Sequence, residues 1–143
     1  ETLPRDLGVE NRVVFGQPDT NMVVEYGCQY EIDWEKGQKT GFFVDQRENR
    51  FLLGKYSKGK KVLNTFCYSG GFSVSALKAG ASEVHSVDIS AKAIEACQLR
   101  GLKQAVCADV MQYSGEKFDT ILLLMNGAGM CGRLNKMYDF LVS

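Results

Sequence analysis

At 143 residues the chain has the length of one domain, long enough to bury a real core. Its 45% hydrophobic and 24% charged residues are ordinary for a soluble globular protein, and only two prolines argue against long disorder. Lysine plus arginine balances aspartate plus glutamate at 17 each, so bulk charge gives no support for a nucleic-acid partner, although a local patch or another domain can still supply the field.

The longest apolar run, 121–125, is strand-sized and far short of the roughly 18–20 residues that span a bilayer. No membrane association is expected, and no basic-then-apolar leader opens the chain at Glu1. The five cysteines are odd in number and widely spaced, with no C-x-x-C pair, which points to a reduced, cytoplasmic setting. His85 is the single histidine and cannot build a metal site alone, so no metal is expected.

Residues 1–20 carry Pro4, Gly8, Gly16 and Pro18 and read as irregular. Two short β-prone runs, 22–26 and 30–34, flank Gly27 and predict a hairpin or bulged strand pair. Residues 35–38 are a turn. Over 45–56 the residues Phe51, Leu52, Leu53 and Tyr56 lie among charged neighbours and predict a helix with one greasy face.

From there the pattern alternates. A strand over 61–66 leads into Cys67-Tyr68-Ser69-Gly70-Gly71 and a helix over 72–79 closed by Gly80. A strand over 83–87 ends at Asp88; Ser90 caps a helix running to Leu99, and Gly101 stops it. A third strand over 105–108 ends at Asp109, and a fourth over 118–125 ends at Asn126-Gly127. Strands and helices alternating over such short connections predict an α/β fold, a mostly parallel Rossmann-like sheet covered on both faces. The chain is accordingly divided into an extension over 1–57 and a core over 58–143, with no internal repeat.

In open parallel sheets ligands lie beyond the carboxyl ends of the strands. The turn from Asn64 through Phe66, Cys67, Tyr68, Ser69 and Gly70 falls there, its glycines letting backbone approach a ligand and the next helix offering free N–H groups. Asp88 follows Gly71 by 17 residues, close to the spacing of a carboxylate that binds a ribose diol, and Asp109 ends the next strand, placed to meet a base amine. Each signal has a plainer reading, as a tight turn or a helix N-cap. Their arrival in order on consecutive strands describes a site for an adenosine-containing cofactor. From Gly70 the chain reads Gly-Gly-Phe-Ser-Val-Ser, which misses the later glycines of G-x-G-x-x-G and sets bulky Phe72 where a pyrophosphate would lie. A phosphate-free cofactor is favoured, and S-adenosyl-L-methionine is the common one.

Two long gap-free motifs, Gln38-Lys39-Thr40-Gly41-Phe42-Phe43-Val44-Asp45-Gln46-Arg47-Glu48-Asn49-Arg50 and Val62-Leu63-Asn64-Thr65-Phe66-Cys67-Tyr68-Ser69-Gly70-Gly71-Phe72, resemble the bacterial large-subunit ribosomal RNA cytosine-C5 methyltransferases of the class I type. The likeness is dense over 1–90. It implies an S-adenosylmethionine-dependent enzyme of Rossmann-like fold acting on ribosomal RNA, with the 64–71 loop holding the methionine part of the cofactor. It further implies that Asp88 takes the ribose hydroxyls, that Asp109 lies by the adenine, and that Phe42, Gln46 and Arg47 close the pocket from the amino-terminal side. Ile89 and Val110, each beside its aspartate, count with them. Read without the family, Gln46 and Arg47 are a solvated helix face.

The chain departs from that family after about Asp88. The family's fourth strand ends in Asp-Pro-Pro with a cysteine nucleophile further on, whereas here it ends Met125-Asn126-Gly127 and resembles another class I methyltransferase group. The chain also stops before the later strands of such a fold and lacks the family's small RNA-binding domain, as a truncated fragment or a composite of two genes would. Asn126 can orient an amine in the site or be a turn residue before Gly127. Cys67 reads as a buried filler, Cys97 and Cys107 as core, and Cys131 follows the fourth strand but matches no family motif. Tyr68 and Phe72 can stack on a base or cover the cofactor, and lysines 55, 58, 60 and 61 can touch phosphate or simply be solvated. Methyl transfer to ribosomal RNA cytosine is the leading expectation. A small-molecule or protein acceptor, or a cofactor-binding fragment without activity, are the alternatives.

Overall fold

The computed structural model describes residues 15–16, 20–33, 41–114, 117–118 and 132–142. It is an α/β fold with a parallel core sheet and an amino-terminal hairpin and helix.

Strands β1 (Met22–Glu25) and β2 (Cys28–Glu31) pair antiparallel, Met22 opposite Glu31 and Glu25 opposite Cys28. Only Tyr26 and Gly27 connect them, both with positive φ (46° and 73°), as a two-residue turn matching strand twist demands. That tight turn starts β2 at Cys28, two residues before the expected run. Along β2, Cys28 and Tyr30 point inward and Gln29 and Glu31 outward, the period-2 pattern of a strand with one covered face. Tyr30 and Ile32 are each 1% exposed and join Cys28 and Phe42 in a small core. Burying side chains of that size stabilises the hairpin's attachment by about 2 kcal/mol each.

A short 3-10 turn (Val44–Gln46) leads into α1 (Arg47–Ser57). The helix is where it was expected, but it is turned the other way. Phe51, Leu52 and Tyr56 are exposed, and the buried side chains are Arg50 and Ser57. Arg50 is inward because Glu25 meets it with a two-point ion pair, Nε to Oε1 at 2.7 Å and Nη2 to Oε2 at 2.6 Å. Its guanidinium also lies 4.4 Å from the centre of the Phe42 ring and donates to the Phe43 carbonyl oxygen at 3.0 Å. One turn on, a β-carbon at Gly54 would lie 3.3 Å from that of Ala79, so α1 sits close against the following helix at a position without a side chain.

The core sheet runs β3 (Lys61–Thr65), β4 (Glu83–Asp88), β5 (Gln104–Cys107), in that spatial order and all parallel. Thr65 lies opposite Val87, and Asp88 opposite Cys107, so the carboxyl ends of the strands come level. Helices α2 (Gly71–Lys78) and α3 (Ala91–Leu99) make the two crossovers. Ser90 caps α3 as expected, its Oγ accepting from Ala93 N at 3.4 Å. Cys67, Ile94, Cys97, Leu102 and Ala105 form the core beneath β4 and β5, and Val74 of α2 touches both this core and the hairpin's. Val74 therefore joins extension and sheet. Cys107 is a correction: expected in the core, it is exposed at the tip of β5. The strand expected over 118–125 lies outside the described residues except for Phe118, whose ring meets His85 edge-on at 6.1 Å. A last helix, α4, spans Leu134–Val142. Among the described residues no helix is long and apolar enough to cross a membrane.

Candidate cofactor-binding site

Parallel strands that end level leave their last residues and the turns after them around one cleft. It is lined by Phe66, Val87, Asp88, Ile89, Ala108, Asp109 and Val110. Five of these seven, Phe66, Asp88, Ile89, Asp109 and Val110, are among the residues singled out by sequence. Val87 and Ala108 were missed because they look like ordinary strand residues.

The turn from β3 to α2 is held over this cleft by Asp88. Its Oδ2 accepts the Tyr68 N–H at 2.9 Å, while Oδ1 accepts the Ser90 N–H at 2.9 Å. An ionised carboxylate has about four lone-pair sites, so two backbone bonds leave room for a diol. Phe66 and Tyr68 both adopt positive φ, 54° and 47°, which costs backbone energy at non-glycine residues and is concentrated in this turn. The Phe66 side chain is thereby turned outward, 56% exposed, at the cleft. Tyr68 meets Phe43 edge-on, ring centres 5.3 Å apart, which links the turn to the amino-terminal extension.

Gly70 is required for a reason other than ligand approach. It has φ +78° and serves as N-cap of α2, and a β-carbon there would come within 2.5 Å of Leu102 Cδ1 and 3.0 Å of Cys97 Sγ. The glycine lets the turn lie on the core. No side chain caps α2, so its first N–H groups face the turn.

Apart from Asp109, the other expected residues among those described do not line the cleft. Cys67 is buried under the turn with its Sγ 3.7 Å from Cys97 Sγ, and that contact together with burial pushes its thiol above the ordinary range. The Asn64 amide is directed inward and donates to Ser73 Oγ at 2.8 Å, itself 2.7 Å from Ser86 Oγ. Asp109 caps the short turn Val110–Gln112, its Oδ1 accepting from Met111 N at 2.9 Å. Phe42 is buried against Tyr30 beneath Gly71, at 4.8 Å between ring centres, rather than on the cleft wall. Gln46 is buried too, donating to Asp45 and accepting from Asn49, so it is no solvated side chain, whereas Arg47 is exposed and pairs with Glu48 at 3.2 Å. Asn126 and Cys131 lie outside the described residues.

Arg100 is a further residue that sequence reasoning missed. Its Nη1 donates to the Ser69 carbonyl oxygen and its Nη2 to the Glu31 carbonyl oxygen at 3.0 Å, while the guanidinium covers the Tyr30 ring at 5.4 Å. It clamps the hairpin to the turn. Nothing local marks it, since it reads as a basic residue at a helix end.

Among the described residues no three histidines, cysteines, aspartates or glutamates come together as a metal site. The cleft instead fits an adenosyl group: a carboxylate at the tip of β4, a second at the tip of β5, and Phe66, Ile89 and Val110 as apolar walls for a flat base. A Rossmann-like sheet with this cleft defines the class I methyltransferase type.

The chain belongs to the S-adenosylmethionine-dependent methyltransferase family, whose model matches residues 10–111. It is 41% identical to the ribosomal RNA large subunit methyltransferase of Deinococcus radiodurans, over 82% of this chain and 33% of that protein. To the ribosomal RNA large subunit methyltransferase I of Aeromonas hydrophila it is 43% identical, over 78% of this chain and 32% of that one. The chain thus spans about a third of the length of the curated relatives it matches. Among solved structures, it is similar to a SAM-dependent methyltransferase from Bacteroides fragilis in complex with S-adenosyl-L-homocysteine, with 30% identity, TM-score 0.53, and 76% of this chain and 44% of that chain covered. A SAM-dependent methyltransferase from Agrobacterium tumefaciens is similar at 29% identity and TM-score 0.54, covering 69% of this chain and 35% of that chain.

Proposed function

We propose that this chain is the cofactor-binding core of an enzyme that methylates large-subunit ribosomal RNA, with cytosine C5 as the acceptor. The observation that carries the reading is the pairing of Asp88 with Tyr68 N–H at the mouth of the cleft, which sets the turn and a ribose-binding carboxylate side by side. The names of the relatives from Deinococcus radiodurans and Aeromonas hydrophila support ribosomal RNA as the substrate class.

S-adenosylmethionine, when bound, supplies an electrophilic methyl group on a sulfonium. The chain's part is to bind and orient: Asp88 and Asp109 take the ribose and the base amine, and the 64–71 turn holds the amino-acid end. Alignment in a water-poor cleft is the main source of acceleration in such a displacement. Cytosine C5 is a poor nucleophile and needs a thiolate added to the ring first. Cys28 is buried in the hairpin core and Cys67 and Cys97 beneath the turn, so Cys107, exposed at the tip of β5, and Cys131 are the residues of this chain to test.

Calorimetry with S-adenosylhomocysteine and transfer of tritiated methyl to large-subunit ribosomal RNA lacking the modification test the reading, with Asp88→Ala as control. Binding together with Asp88-dependent incorporation into cytosine supports it. Incorporation into a protein or small molecule replaces the acceptor, and cofactor binding without transfer reduces the chain to a binding fragment.

A further inference from the structure

We propose that the outer face of α1, together with the hairpin turn, is a docking surface for single-stranded RNA. The inference rests on the RNA-methyltransferase reading above and adds where the substrate strand lies.

Three observations carry it. First, Tyr26 of the turn and Phe51 of α1 stack on each other in solvent, ring centres 4.7 Å apart and planes 27° from parallel, with Tyr26 50% and Phe51 46% exposed. Aromatic rings of this size are ordinarily spent on a core, and a contiguous exposed group of them marks a binding surface. Leu52 and Tyr56 are exposed on the same helix but lie round its axis from Phe51, so the surface is the Tyr26–Phe51 pair. Second, cations bracket the stack. The Arg47 guanidinium lies 6.0 Å from the Tyr26 ring centre and Lys55 Nζ 5.0 Å from that of Phe51. Positions 47, 51 and 55 are successive i, i+4 neighbours, so cation, ring and cation form one stripe. Lys78 adds a third positive charge by donating to the Tyr26 carbonyl oxygen at 2.6 Å. Two carboxylates stand near them: Glu48, which accepts from Tyr26 Oη at 2.8 Å and pairs with Arg47, and Glu25, which is buried and matched by Arg50. A chain of zero net charge is therefore locally basic here. Third, the stripe is connected along the chain to the turn over the cleft. Arg47 follows the 3-10 turn at 44–46, and Phe43 just before that turn packs on Tyr68 of the cofactor turn at 5.3 Å.

An exposed ring pair flanked by cations suits a strand whose bases are unstacked. Every base has a face to stack, and the backbone is met by the flanking charges. A duplex keeps its bases stacked on one another and offers such rings nothing.

Fluorescence anisotropy with a short unstructured fluorescein-labelled RNA, alone and annealed to its complement, tests this on the full chain. The chain is expected to bind the single strand more tightly than the duplex. Phe51→Ser is expected to weaken single-strand binding about tenfold, Phe51→Tyr to restore it, and Lys55→Gln to reduce the slope of log K against log salt by about 0.7. S-adenosylhomocysteine affinity is expected to be unchanged in all three, which reports that the fold and cleft are intact. Equal binding of RNA by the parent chain and Phe51→Ser, or no binding by the parent, overturns the proposal. So does self-association that Phe51→Ser abolishes while RNA affinity stays the same. If RNA binds independently of Phe51 yet is methylated, the surface is wrong and the acceptor reading stands; if binding depends on Phe51 but ribosomal RNA is never methylated, the reverse holds.

Discussion

Asp88 and Tyr68 meet at the carboxyl end of β4, where the aspartate's Oδ2 accepts the tyrosine's backbone N–H at 2.9 Å and holds the 64–71 turn in its left-handed bend. A single side chain thus shapes the turn and presents a carboxylate to the cleft. Asp88→Ala removes both functions and leaves the N–H groups of Tyr68 and Ser90 without their acceptor. Loss of a charge-assisted bond of this kind costs ~1.5–3 kcal/mol. Calorimetry is expected to show S-adenosylhomocysteine affinity reduced at least about tenfold, with Asp88→Asn intermediate because one amide oxygen replaces two carboxylate oxygens. Full affinity in Asp88→Ala would remove this residue from the site.

Gly70 lies against Leu102 and Cys97 with φ +78°, so Gly70→Ala meets two penalties together. The left-handed backbone is strained for alanine by roughly 1 kcal/mol, and the new methyl must displace Leu102 or Cys97, an overpacking cost of typically 1–3 kcal/mol. The urea midpoint is expected to fall by an amount equal to at least ~2 kcal/mol. Leu102→Ala is itself destabilising, since it empties a core position, but Gly70→Ala should cost less in that background than in the parent, because the space the methyl needs is then open. A midpoint unchanged by Gly70→Ala would mean the turn relaxes freely.

The parallel sheet, its crossovers and the cleft aspartates were legible because each follows from a local rule. Ser90 caps α3, Asp88 and Asp109 end strands, and Gly70-Gly71 separates β3 from α2. The plainer reading of the aspartates, as caps, holds as well: Asp109 caps Val110–Gln112 and still lines the cleft. What the local rules missed depends on partners far along the chain. The amphipathic pattern of α1 puts Phe51 and Tyr56 inward, but Arg50 takes that place because Glu25, 25 residues earlier, neutralises it in the core. Arg100 reaches Glu31 across 69 positions, and Cys107 is exposed because β5 ends at the cleft rather than beneath it.

Arg100 ties the Ser69 carbonyl in the 64–71 turn to the Glu31 carbonyl in β2, so the hairpin and the turn are held as a unit. Arg100→Ala frees both carbonyls, and the turn loses its anchor on the side away from Asp88. Affinity for S-adenosylhomocysteine is expected to fall about tenfold, the equivalent of one bond to a charged group. Arg100→Lys should recover only part, because an ammonium lacks the planar fork that spans two acceptors. Hydrogen exchange at 66–71 should quicken in the alanine variant. Unchanged exchange there would show that Asp88 alone holds the turn.

Tyr30 makes the fold sensitive to alkali. Burial raises its phenol from the ordinary 10 to about 12, with the nearby Cys28 and Glu25 adding in the same direction and the Ser75 hydroxyl opposing. The folded state binds the proton more tightly than the unfolded state does, so this stabilisation is complete below pH ~10 and is lost as the pH rises through about 12. A two-unit difference corresponds to at most ~3 kcal/mol. Urea midpoints measured from pH 9 to 12 are expected to decline steeply above pH ~10 in the parent chain. The buried Cys67 thiol is also shifted upward, so Cys67→Ala serves as the background for the comparison. In that background Tyr30→Phe should start lower, having lost the hydroxyl's contacts with Gly71 O and Ser75 Oγ, both at 3.4 Å, but should then decline less with pH. Parallel decline in the two proteins would assign the alkaline transition to other groups.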